Sequence, residues 1–152
     1  MGRLLFGALV LFAARASFGE PAKLRNAFTD DHLQALMKQH GAGIVYAWSP
    51  HMPMSIDGIA TVRRVAKAMK VEVFMTLDPH ASGKAARLSA ARMGWSNDSM
   101  KRLESVALFR RGMGNHYPVL IVFSKGKLVG PLFPGLKSEG TYTKFIAEQL
   151  ER

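Results

Sequence analysis

The sequence predicts one α/β domain, built on a central mixed sheet of four strands with flanking helices, and three observations predict it. Short apolar runs rich in β-branched residues alternate with segments whose apolar residues recur at helical spacing. Two of the strands flank a helix as a βαβ unit, and the last two are joined by a tight turn and followed by a closing helix. The chain has 152 residues, 48% of them hydrophobic and 21% charged. That is long enough for one core, and no repeat, low-complexity tract or Pro/Gly-rich linker divides it.

Residues 1–19 stand apart. Arg3 precedes an uncharged apolar run from Leu4 to Ala14, followed by the small residues around Ala14-Arg15-Ala16 and Ser17-Phe18-Gly19. This pattern reads as a secretory signal peptide, with cleavage near Ala16 or Gly19 and a domain over residues 20–152. The apolar run is well short of the roughly 20 residues that a spanning helix needs, so no permanent membrane span is expected after cleavage. The expected location is periplasmic or secreted.

The first helix starts at Thr29 and the acidic pair Asp30-Asp31, runs with Leu33, Leu36 and Met37 on one stripe, and stops at Gly41. Gly43 to Trp48 is a buried strand that ends before Pro50. After the Pro-rich loop Ser49 to Pro53, a second helix carries Ile56, Ile59, Ala60, Val62, Ala66 and Met69, with Ser55 as its cap. Val71 to Leu77 alternates as a second strand and ends at Asp78-Pro79. Between Ala81 and Arg111 two helices are expected, with a break near Gly94 to Ser96. Val119 to Phe123 and Leu128-Val129 form a hairpin about Ser124 to Lys127, with Pro131 holding the last strand at an edge. Ser138 opens a closing helix with Tyr142, Phe145, Ile146 and Leu150 on one face.

The formal charge is +10, or about +8 once Arg3 and Arg15 leave with the signal. Lys and Arg are scattered, which suits a solvated basic surface and a protein or peptide partner in the cell envelope rather than nucleic acid. The chain contains no cysteine. That removes disulfides and every thiolate chemistry together.

Two stretches carry a family resemblance. Tyr46-Ala47-Trp48-Ser49-Pro50-His51-Met52-Pro53 resembles the strand, Trp and active-site loop of thioredoxins, with Trp-Ser-Pro-His-Met in place of Trp-Cys-Gly-Pro-Cys. His116-Tyr117-Pro118 followed by Val119 to Phe123 and Lys125-Gly126-Lys127 resembles the cis-proline segment and hairpin of the same family. The resemblance implies a thioredoxin-like fold with a helical insert over 81–111, ahead of a cis-proline at Pro118. It does not imply the activity, because neither Ser49 nor Met52 can supply a thiolate.

Three functions fit these residues. The first is a redox-inactive polypeptide-binding module, not a thiol-disulfide oxidoreductase, whose groove is formed by Trp48, Ser49, Pro50, His51, Met52, His116, Tyr117 and Pro118. The Tyr117 main chain would be offered to an extended partner by strand addition, with no cofactor. The second is copper binding by His51, Met52, Met54 and His116, since thioether and imidazole suit Cu(I); the opposing reading packs both methionines under the loop. The third makes Ser49 a hydroxyl at a helix N-terminus that steadies the thiol of a bound cofactor in a transferase, against a Ser that merely satisfies the helix end. His32, His40 and His80 read as surface polar groups, and Trp95 as a plug at a helix junction.

Overall fold

The computed structural model describes residues 26–95 and 101–152. The expected signal peptide, and Ser96 at the expected helix break, lie outside the described residues. The elements run β1 (Ala27–Phe28), α1 (Asp30–His40), β2 (Ala42–Trp48), α2 (Pro53–Met69), β3 (Glu72–Leu77), α3 (Gly83–Met93), β4 (Arg102–Leu103), α4 (Val106–Arg110), β5 (Val119–Ser124), β6 (Lys127–Pro134) and α5 (Glu139–Leu150).

Local chemistry sets most boundaries. Thr29, Ser82, Ser105 and Ser138 each accept a first-turn N–H of the helix they precede. Gly41 and Gly94 end α1 and α3 at φ of 68° and 64°, values that a side chain would strain. The start of α2 differs from expectation. The helix opens at Pro53 with Met52 as N-cap, and Ser55 is its third residue. Proline is pre-set for the first helical position and lacks the N–H that would go unbonded there, so the helix begins two residues before the expected cap.

Among the described residues the sheet has six strands in the order β1-β4-β3-β2-β5-β6, not four. The four expected strands form one side of it, with β2 and β3 parallel from Gly43↔Glu72 to Trp48↔Leu77, β5 antiparallel to β2, and β6 antiparallel to β5. The additional β1 and β4 are two residues each, too short to show alternation. β4 also lies inside the stretch expected to be helical, joining α3 to the one-turn α4. β6 is the edge strand and runs on through Pro131 to Pro134.

Alternation along β2 divides the core. Ile44, Tyr46 and Trp48, with Leu120 and Val122 of β5, face α2, α3 and α5. Val45 and Ala47, with Val119, Ile121 and Phe123, face α1 and α4. The carboxyl ends of β2, β3 and β4 therefore point to one end of the molecule. Since β5 runs the other way, its lead-in at 116–118 arrives at the same end.

Candidate functional site

The loop after β2 and the first turn of α2 occupy this end. Trp48 is 0% exposed and packs edge-to-face on Trp95, with ring centroids 5.0 Å apart, so it belongs to the core beneath the loop and not to a groove surface. Ser49 is buried as well. Pro50 is half-buried, while His51, Met52, Pro53 and Met54 are exposed, Met54 by 53%.

Burial of Ser49 obliges its polar atoms to find partners inside the protein. Its hydroxyl donates to Asp78 Oδ2 at 2.8 Å, and its N–H donates to Ser55 Oγ at 2.8 Å. The other oxygen of Asp78 accepts from the His80 N–H, and the Asp78 N–H donates to the Trp48 carbonyl, both at 2.8 Å. Tyr46 completes the network from below by donating its hydroxyl to the Ser55 carbonyl at 3.0 Å. A Cβ on Gly58 would overlap that hydroxyl, so glycine is what lets α2 lie this close to β2. The Ser49 hydroxyl is thus aimed inward and engaged, whereas a transferase would need it open to its cofactor.

Opposite lies the lead-in to β5. The Tyr117–Pro118 peptide bond is cis, and the Pro118 carbonyl accepts from the Gly135 N–H at 2.7 Å. The Tyr117 hydroxyl is buried without a hydrogen-bond partner. Burial, and after it the negative charge of Asp78, push its pKa well above the ordinary tyrosine value. The register of β5 on β2 starts at Ala47↔Val119, and among the described residues no hydrogen bond engages the Tyr117 main chain. His116 beside it is exposed.

The structure thus brings Ser49, Tyr117 and Pro118 together at one end and leaves His51, Met52, Met54 and His116 on its surface. Met52 and Met54 stand two positions apart at a helix start, a spacing at which side chains do not face each other. Among the described residues, no group of three or more His, Cys, Asp or Glu is placed to hold a metal ion. Three participants escape a reading of the sequence. Asp78 and Ser55 form the buried network. Leu136, 37% exposed, reaches within 3.4 Å of the position that a Cβ of Gly58 would take, one turn on from Met54. Asp78 alone carried a signal, as a carboxylate at the carboxyl end of a parallel strand.

No protein-family model matches the chain, and no curated protein matches it in sequence. Solved structures do resemble it. The exposed lipoprotein thioredoxin Etrx1 of Streptococcus pneumoniae strain TIGR4 aligns with a TM-score of 0.53 at 18% identity, over 74% of this chain and 89% of that one. A secreted Mycobacterium tuberculosis disulfide oxidoreductase homologous to E. coli DsbE aligns with a TM-score of 0.52 at 11% identity, over 72% of this chain and 82% of that one. At such identities the likeness shows the fold alone. The fold is thioredoxin-like, in a chain that contains no cysteine.

Proposed function

We propose that the chain is an exported, redox-inactive module that holds an extended polypeptide across the loop end of its sheet. The observation that carries this reading is the Tyr117 main chain, outside the β5 ladder, at the same end of the sheet as the loop that exposes Met52 and Met54. A main-chain segment with unused donors and acceptors offers strand-type hydrogen bonds that are indifferent to the partner's sequence, and flexible thioether side chains adapt to varied apolar residues. Binding of this kind needs no thiol, and the chain has none. Export is supported by the apolar run Leu4 to Ala14 and by the likeness to an exposed lipoprotein and a secreted enzyme.

The test is an amide-shift titration of the domain with a blocked, uncharged peptide of serine, glutamine and valine, about ten residues long so that it spans this end. The expected result is shifts at His51 to Met54 and at His116 and Tyr117. Met54→Glu is expected to weaken binding about tenfold while leaving the melting temperature unchanged, because the side chain is exposed and an acid suits the first turn of a helix. Saturating peptide that shifts none of these amides would refute the reading.

A further inference from the structure

We infer that the polypeptide held at this end presents a carboxylate side chain, and that Arg87 and Arg102 receive it; the inference rests on the binding reading above. Arg102, on β4, donates Nη1 to the carbonyls of Pro79 and Ala81 at 2.9 and 2.8 Å, which ties it to the loop that leaves β3. Its other terminal nitrogen points elsewhere. A Cβ placed on Gly83 would lie 4.0 Å from Arg102 Nη2 and 3.4 Å from Arg87 Nη1, so two guanidinium groups converge over one backbone position. The two nitrogens are separated by no more than the sum of those distances, inside the physiological Debye length of about 8 Å.

Among the described residues no acid answers them. The ion pair found among the described residues is Arg64–Glu139. The Asp78 oxygens are taken by Ser49 and His80, and Glu104, two residues beyond Arg102, pairs with neither arginine. Lys84 adds a further exposed cation on the same turn as Gly83. Two converging planar forks, one of them already anchored, suit a carboxylate, which accepts one charge-assisted bond on each oxygen. An acidic partner also complements a chain of formal charge +10.

The fold places this pair within reach of the same ligand. β4 is separated from β5 by β3 and β2. Three strand spacings are about 14 Å, which four or five residues of extended chain cover. The acidic residue is therefore expected about that far along the partner from the segment lying on Tyr117.

The experiment compares the uncharged peptide used above with a counterpart whose glutamines are glutamates, by amide shifts and affinity, with inorganic phosphate as a third titrant. The expected result is about tenfold tighter binding of the glutamate peptide, with added shifts at His80 and at Gly83 and Lys84, and a preference that falls with salt. Arg87→Gln, an exposed site, is expected to remove most of that preference and leave the uncharged peptide unaffected. Arg102→Lys, which keeps the charge and loses the fork, is expected to remove part of it. Equal affinity for the two peptides, or a preference that survives both substitutions, overturns the inference while leaving the binding reading intact. Phosphate binding the same amides more tightly than the glutamate peptide also overturns it. Shifts confined to the arginine pair, without Tyr117, would uphold the carboxylate site and refute the groove. No shift from either peptide would refute both.

Discussion

At Ser49 the loop is fastened from two directions: the hydroxyl donates to Asp78, and the N–H donates to Ser55 Oγ. Ser49→Ala removes the donor and leaves Asp78 Oδ2 without it at a residue only 9% exposed. Stranding a buried acceptor costs about 1–3 kcal/mol. Urea unfolding of Ser49→Ala is expected to show a loss in that range, and a variant as stable as the parent would mean that the bond does not hold the loop. The residue type at position 49 was legible in the sequence as a hydroxyl where a thiol would stand. Its burial was not, because the direction of that hydroxyl is set by a carboxylate 29 positions away that looked like the end of a strand. Trp48 misleads in the same manner. Its place in the motif suggests a groove wall, but Trp95 covers it from beyond α3.

Among the elements, α4 shows how a helix of five residues is kept in place. So short a helix gains little from its own hydrogen bonds. Asp30, in the first turn of α1, accepts from the Ala107 N–H at 3.0 Å and from the Ser105 hydroxyl, so the N-terminus of α4 is capped from another helix as well as by its own Ser105. Asp30→Ala is expected to cost about 0.5–2 kcal/mol, the range for a lost cap. Amide hydrogen exchange is expected to rise in α4 ahead of β5. Exchange that rises evenly across the chain, or not at all, would show that Asp30 does not secure this helix. The sequence marked Asp30 as a favourable first-turn residue of α1, which it is, but its second role depends on a contact 75 positions away. For the same reason β4 was not legible. Two residues become a strand here because β3 and β1 lie on either side of them.

For the molecule as a whole, the four longer strands and the helices, including the two expected between Ala81 and Arg111 with a break at Gly94, could be read from the sequence because most of them bury a continuous run or a regular stripe, and burial is what those patterns encode. That arrangement also sets an alkaline limit on stability. Tyr46, Tyr117 and Tyr142 all carry pKa values raised above the ordinary 10, in each case chiefly by burial, with Tyr142 and Asp57 adding to the effect on Tyr46 and Asp78 to that on Tyr117. In the unfolded chain these phenols titrate near pH 10. Below that pH both states hold the protons and stability is indifferent to them. Above it the unfolded state releases protons that the folded state keeps, so the stability present at neutral pH falls as pH rises. Each tyrosine steepens the fall by at most about 1.4 kcal/mol per pH unit. Tyr46→Phe removes the most deeply buried of the three together with its hydrogen bond to Ser55, so it is expected to be less stable than the parent at pH 7 yet to lose stability more slowly above pH 10. Urea unfolding of both proteins from pH 7 to 11 checks this, since groups that do not interact with Tyr46 contribute equally to both curves. Parallel curves over the alkaline range would mean that Tyr46 ionises in the folded state as readily as in the unfolded one, and that the packing of α2 over β2 does not exclude water from its hydroxyl.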